Sequence, residues 1–262
     1  LLGLTMLGGI SFADDIHSVP NKFRLIVHFA AMTLMFYQWG ILLPEYWWVV
    51  IIALIVCTGI INAYNFMDGI NGITGGYSLA VLIPLLLLNM QEEYTDNNFI
   101  IVTLLSVLVF CLFNFRTRAK CFAGDVGSVS IAFILLYFLG SYILRSGNYW
   151  AIVLLMVYGV DSVLTICHRI MLHENIGQPH RKHAYQLMAN ELYIKHVTVS
   201  TIYMVLQLVI SLGAIYLPVN KYLYLVVVLA LLCVAYILFK KKYYHLHEEY
   251  LRAKANERND GN

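Results

Sequence analysis

Apolar runs succeed one another along almost the whole chain, each broken by a short polar stretch. A helix needs about 20 apolar residues to cross the hydrocarbon core of a bilayer. The runs at 1–13, 25–43, 46–64, 73–90, 98–114, 127–145, 149–167, 197–217 and 221–239 therefore predict nine membrane helices. The segments between them alternate in character. Residues 14–24, 65–72, 115–126 and 168–196 are long and rich in Gly, Asp, His and Arg, whereas 44–45, 91–97, 146–148 and 218–220 are short. The pattern predicts an all-α, polytopic membrane bundle over 1–239, followed by a helical, mixed-charge tail at 240–262. The first run opens Leu1-Leu2-Gly3-Leu4 without a methionine or a basic flank. It reads as the tail of a helix that begins upstream, not as a signal peptide.

Composition excludes a soluble fold, because 60% of the 262 residues are hydrophobic and only 12% charged, against about 25% charged in soluble domains. The five cysteines, Cys57, Cys111, Cys121, Cys167 and Cys233, form no CxxC pair and read as packing residues. Charge sets the orientation. Of the 17 Lys and Arg, all but Arg145 and Lys221 lie in the elaborated loops and the tail, while the opposite face carries Glu92, Glu93 and Asp96. Basic residues accumulate on the inner side of short loops, so the elaborated loops are predicted to be cytoplasmic.

Four polar constellations fall on that face. Asp14 and Asp15, followed by Lys22 and Arg24, stand where the first helix ends, and adjacent carboxylates need a cation or a proton nearby. Asn62, Asn65 and Asp68 follow at helical spacing and run into Gly69-Ile70-Asn71-Gly72 and Gly75-Gly76, where glycines let backbone approach a ligand and turn N–H groups toward phosphate. Arg116, Arg118 and Lys120 precede Gly124-Asp125-Val126-Gly127-Ser128, cations next to a carboxylate as a metal-bound diphosphate requires. The longest loop carries His168, Arg169, His173 and then Pro179-His180-Arg181-Lys182-His183-Ala184-Tyr185. Its HxxH spacing lacks the further ligands of a zinc site, and imidazoles and cations that grip phosphate fit better. Asp161, with Thr165 and His168, makes a polar stripe on the seventh helix, for which a partner on a neighbouring helix is the favoured reading. Oxygen ligands favour Mg2+, with Mn2+ as a substitute. The chemistry such a set serves is phosphoryl transfer involving a lipid. A transporter is the rival class, but transporters gather their polar groups near the bilayer midplane, and here only Asp161 intrudes there.

Phe12-Ala13-Asp14-Asp15, Asn65-Phe66-Met67-Asp68-Gly69-Ile70-Asn71-Gly72, Phe122-Ala123-Gly124-Asp125-Val126-Gly127-Ser128 and His180-Arg181-Lys182-His183 resemble, in order and spacing, the motifs of the polyprenyl-phosphate N-acetylhexosamine-1-phosphate transferases, the bacterial glycosyltransferase family 4. The resemblance implies transfer of a sugar 1-phosphate from a UDP-N-acetylhexosamine to undecaprenyl phosphate at the bacterial inner membrane, with a cytoplasmic active site. It also implies a fold of ten or eleven helices, about two of them upstream of residue 1. By this resemblance Asp125 is the metal ligand, joined by Asp68, and Asp14 and Asp15 are paired catalytic aspartates. Asn65 and Asp68 form the nucleotide-side and metal-side pair, His183 contacts the diphosphate, and Lys120 is the lysine of its loop. Arg116, Arg118, His180 and Arg181 are expected to bind the anionic donor. Asn71 stands where the family often has a second aspartate, and Tyr185 where it often has a histidine. The His180–Gln186 sequence is similar to the O-antigen and capsule branch and points away from the muramoyl-pentapeptide enzymes. A lipid bilayer and a second copy of the chain are the expected partners, and nucleic acid is not.

Overall fold

The computed structural model describes residues 1–42, 45, 47–175, 178 and 180–260, with side chains through Arg252. Pro179, the expected span ends at 43 and 46, and the side chains of Lys254 and Arg258 lie outside the described residues. Those that are described form helices and connections with no strand among them. In chain order the helices are α1 (Leu2–Ile16), α2 (Asn21–Gln38), α3 (Trp47–Met67), α4 (Ile73–Glu92), α5 (Asn97–Asn114) and α6 (Gly124–Ser146). A 3-10 stretch (Tyr149–Leu155) then leads into α7 (Met156–Met171), and the short α8 (Ala184–Gln186) continues as a π turn (Leu187–Glu191) before α9 (His196–Tyr216) and α10 (Lys221–Asp260).

Every one of the nine expected segments is helical. Among the described residues seven are long and apolar enough to cross a membrane: α3, α4, α5, α6, the Tyr149–Met171 pair, α9 and α10. The other two are α1 and α2. Helix α1 has 15 residues among those described. Helix α2 opens with the polar turn Asn21–Arg24. Helix α10 runs without a break from the last apolar run into the tail.

Burial grades the helices from inside to outside. Within the span of α4 72% of residues are buried, against 6% for α10, so α4 is the axis around which α5, α6 and α9 pack, while α10 lies against α7 at the edge. The large apolar side chains that α3, α5 and α10 leave exposed are what lipid tails would cover. The 3-10 stretch departs from regular helix at membrane depth, where an unpaired N–H has no water to fall back on. Its junction with α7 is satisfied from inside. Gln207 of α9 accepts from Val157 N (3.0 Å) and donates to Val153 O (3.0 Å), and the Tyr77 hydroxyl accepts from Tyr158 N (3.2 Å) while donating to Gln207 (2.7 Å). Tyr77 and Tyr158 stack directly on one another in this core.

Candidate functional site

The C-terminal ends of α1 and α3 and the N-terminal ends of α2, α4 and α6 meet at one end of the bundle. Arg24, one turn into α2, joins two of the predicted motifs, since one guanidinium nitrogen lies 2.5 Å from Asp14 Oδ2 and the other 2.5 Å from Asp125 Oδ2. The adjacent aspartates of α1 differ in consequence. Asp14 is engaged, accepting from Val19 N (2.7 Å) as well as from Arg24. Asp15 is exposed and has no hydrogen bond or ion pair among the described residues. It faces Gly124, where its Oδ2 stands 3.2 Å from the place a Cβ would occupy and the backbone is left-handed (φ +59°). That conformation favours glycine.

Asn65 and Asp68 approach the same point from α3. Asn65 accepts from Ser128 Oγ (2.9 Å), so it links α3 to the first turn of α6, next to Asp125. Asp68 accepts from Thr74 Oγ1 (2.5 Å). Burial raises its carboxyl to about 6; the Thr74 hydrogen bond opposes that rise and the negative charge of Asp125 adds to it. Asp14, Asp15, Asn65, Asp68 and Asp125 thus share one cluster, as the motifs require.

The loop of cations is held against this cluster by asparagines. Asn71 donates to Arg116 O (3.1 Å) and Thr117 O (3.3 Å), while Asn114 accepts from Gly72 N (2.8 Å) and donates to Cys121 O (2.8 Å). Arg116, Arg118 and Lys120 remain exposed on its outside. The glycines expected to open the backbone to a ligand are occupied by packing instead. A Cβ at Gly72 (φ +85°) would stand 2.7 Å from the Phe115 ring and one at Gly76 2.6 Å from the same ring; one at Gly75 would be 2.6 Å from Cys111 Sγ, and one at Gly69 would collide with the Tyr185 hydroxyl. Close approach of α4 to α5 and to the long loop, more than ligand access, explains this glycine run.

The long loop folds over the α3–α4 turn. The Tyr185 hydroxyl, wholly buried, donates to Phe66 O (2.9 Å), and the His180 ring lies 6.2 Å from that of Phe66 and 4.9 Å from that of His183. Tyr185 is therefore a structural latch. Arg181 is exposed and turns away from the cluster, lining a cleft with Glu191, Glu249 and Tyr250. On the far side the extension of α10 braces the loop: Lys240 Nζ donates to Lys182 O, and His247 pairs with Glu191 at 2.5 Å.

A groove of about 350 Å³ runs from the cluster between α4, α5 and α6, lined mainly by apolar groups such as Val102, Val107, Phe110 and Ile131. Thr74, the partner of Asp68, lies on its wall, with Ala123 and Gly127 on either side of Asp125.

Against known sequences, the profile described as glycosyl transferase family 4 matches residues 1–143, a stretch that contains Asp14, Asp15, Asn65, Asp68 and Asp125. The chain belongs to glycosyl transferase family 4. It is 30% identical over 148 residues to a phospho-N-acetylmuramoyl-pentapeptide-transferase of Thermotoga neapolitana, covering 50% of this chain and 48% of that protein. A protein of the same description from Fervidobacterium nodosum is 32% identical over 164 residues, covering 55% and 50%. A probable undecaprenyl-phosphate N-acetylglucosaminyl 1-phosphate transferase of Bacillus subtilis is 31% identical over 139 residues, covering 50% and 38%. This family 4 chain spans about half the length of these relatives or less, and both sugar types occur among them.

The carboxylates of Asp68 and Asp125 supply the oxygen donors of the family 4 cluster, with Arg24 on one oxygen of Asp125 and Asn65 Oδ1 accepting from Ser128. Among the described residues no group of three or more His, Cys, Asp or Glu closes around a single point. Two carboxylates set close together suit Mg2+, which takes one or two protein carboxylates and completes its shell with other oxygen ligands. Two residues central to the geometry stood outside the motifs. Arg24 stood beside the paired aspartates, and Asp161 stood in a polar stripe with Thr165 and His168; the partner expected for it on a neighbouring helix is Tyr203 of α9.

Proposed function

We propose that this chain carries the catalytic face of an enzyme that transfers N-acetylhexosamine 1-phosphate from a UDP-sugar to undecaprenyl or a related polyprenyl phosphate. UMP is released on the cytoplasmic side of the bacterial inner membrane, and cell-envelope polysaccharide synthesis begins. One observation carries this reading: Thr74, which donates to Asp68, and Ala123 and Gly127, which flank Asp125 in the chain, line one apolar groove, so a phosphate site and a path for a prenyl chain would share Thr74 as a common wall. The Bacillus subtilis relative, named for undecaprenyl phosphate and N-acetylglucosaminyl 1-phosphate, supports it, whereas the Thermotoga and Fervidobacterium relatives are named for muramoyl-pentapeptide.

In the proposed reaction an oxygen of the lipid phosphate attacks the β-phosphorus of the UDP-sugar, and the bond from that phosphorus to the UMP oxygen breaks. Sugar 1-phosphate becomes attached to the lipid phosphate as a diphosphate. Bringing two anions together is the main obstacle. Asp68 and Asp125 would hold Mg2+, which supplies neutralisation of the diphosphate charge, with Asn65 on the nucleotide side. Arg116, Arg118 and Lys120, exposed on the loop that Asn71 and Asn114 tie to the α3–α4 turn, would draw in the nucleotide, while His180 and His183 would contact the diphosphate. Asp15, unpaired beside Gly124, would position the acceptor phosphate or hold its proton.

The test is incubation of the full-length protein with radiolabelled UDP-N-acetylhexosamines, undecaprenyl phosphate and MgCl2, followed by organic extraction. Label is expected in the lipid phase with one or more donors. Label that stays in water with every donor would sink the reading.

A further inference from the structure

Asp161 is 3% exposed and sits within the α7 span, where a lone carboxylate is costly. It is not alone. Its Oδ1 accepts from Ala184 N (3.0 Å) and Thr165 Oγ1 (3.2 Å) and meets His183 Nδ1 at 3.3 Å, while Oδ2 accepts from the Tyr203 hydroxyl (2.6 Å) and Tyr185 N (3.4 Å). Most of these partners belong to the loop or to α9, so one buried group gathers the start of α8 onto α7. The other nitrogen of the ring behaves differently. His183 is 1% exposed, and its Nε2 is buried with no hydrogen-bond partner among the described residues. A buried ring nitrogen left unbonded asks for an explanation.

We infer that Asp161 is a positioning residue for His183. Its carboxylate requires the hydrogen on Nδ1 and thereby turns Nε2 toward the substrate diphosphate. The assignment follows from hydrogen-bond chemistry. A carboxylate can only accept, so the hydrogen in this contact belongs to Nδ1. Gln186 N, the other donor at this turn, faces the His183 side chain in a capping box and also reaches His183 O at 3.1 Å; that N–H has a second acceptor whereas the carboxylate has no hydrogen to give, so the Asp161 contact is the one that fixes the hydrogen on Nδ1. The ring is then pinned at one nitrogen, and the tautomer that carries Nδ1–H frees Nε2, the usual effect of an outer carboxylate on a working imidazole. The two backbone bonds from Ala184 and Tyr185 keep the ring from pivoting about its own Cα. This inference rests on the reading of His183 as a diphosphate contact.

Two measurements on the full-length protein test it. In protein labelled with 15N in its histidine rings, the His183 resonance, identified by its loss in His183→Gln, is expected to show Nδ1 protonated at neutral pH and Nε2 shifting on addition of UDP-N-acetylglucosamine with MgCl2. Nδ1 found bare, with the hydrogen on Nε2, overturns the proposal without needing any Asp161 variant. In a double-mutant cycle, Asp161→Asn is expected to lower kcat about 10- to 100-fold, as loss of an outer partner commonly does, with KM for the UDP-sugar within about threefold. In the His183→Gln background the same change is expected to cost less than about threefold, because the group it positions is gone. Losses that multiply overturn the proposal, since Asp161 would then act through something other than His183. Transfer at the wild-type rate by His183→Gln fails in a different way: it removes the diphosphate contact itself, and the proposal with it.

Discussion

Arg24 meets Asp125 at 2.5 Å with one guanidinium nitrogen while the other holds Asp14 at the same distance. Three helices are tied by this one side chain, because Asp14 ends α1, Arg24 begins α2 and Asp125 begins α6. A guanidinium can serve two carboxylates at once through separate N–H groups, which a lysine ammonium does less well. With the side chains only 17%, 14% and 24% exposed, removing the cation leaves partly desolvated carboxylates facing one another, and such losses are far larger than those of surface pairs. Arg24→Ala is therefore expected to lower transfer about a hundredfold and to lower the thermal midpoint in detergent. Arg24→Lys should fall between Arg24→Ala and the wild type in both. Wild-type activity in Arg24→Ala would show that the bridge is incidental.

The convergence of the motifs was legible in the chain because each one ends or begins a helix on the same side, and alternation of long and short connections places those ends together. Asn71 and Asn114 bear this out, stitching two motifs 42 to 46 residues apart. Other features left no periodic trace. Pairing of Asp161 with His183, 22 residues away, depends on how the loop folds back over α7. The inequality of Asp14 and Asp15 depends on which of them the Arg24 guanidinium reaches. Glycine density misled for a related reason: a small residue needed for Phe115 to nest at Gly72 and Gly76 looks the same in a sequence as one that admits a ligand. Membrane helices need such close contacts, since without a hydrophobic drive in lipid they associate by tight packing.

Metal dependence follows from the donor set. Oxygen ligands from Asp68 and Asp125 favour hard cations, so transfer is expected to stop in EDTA and to return with Mg2+ or Mn2+ but not with Zn2+. Asp125→Asn should abolish the part of UDP-sugar binding that depends on added Mg2+, measured by equilibrium dialysis with labelled nucleotide. Full turnover in EDTA would remove the metal from the mechanism.

His180 supplies a pH signature of the loop. Burial, reinforced by the neighbouring His183 and Arg169, lowers it from 6.5 to about 4, so the folded protein holds this imidazole neutral while the unfolded chain protonates it below about 6.5. Between those values the unfolded state binds more protons, and stability falls as pH falls. The contribution is complete above about 6.5 and declines through the window down to about 4. Thermal midpoints of the wild type and His180→Asn, measured in detergent from pH 7.5 to 4.5, are expected to differ in slope, with the variant flatter across the acidic half. Parallel curves would place the pH sensitivity of the fold elsewhere.

The free carboxylate of Asp15 bears on how many chemical steps the reaction has. An unpaired, exposed aspartate beside Asp125 could in principle attack the donor and carry the phosphosugar covalently before passing it to the lipid. The alternative is direct attack by the lipid phosphate. A phosphate monoester has its second pKa near 6, so the acceptor is already mostly dianionic at neutral pH and needs positioning more than a base. Asp15 is also in poor surroundings for a nucleophile, because it stands against Gly124 beside Asp125 and next to Asp14, and a third negative group works against approach of a diphosphate unless cations offset it. Direct attack is accordingly expected. The two routes differ in one observable: a covalent intermediate releases UMP before any lipid arrives, so labelled UMP would exchange into UDP-sugar in delipidated enzyme. No exchange is expected until undecaprenyl phosphate is added. Asp15→Asn should slow transfer by about a hundredfold, the usual cost of a lost acid–base or positioning group, and leave UDP-sugar affinity within about threefold. Asp14→Asn should instead act chiefly on stability, since Asp14 is already engaged by Val19 N and Arg24. Exchange of UMP without lipid, together with its loss in Asp15→Asn, would establish the two-step route in place of direct attack.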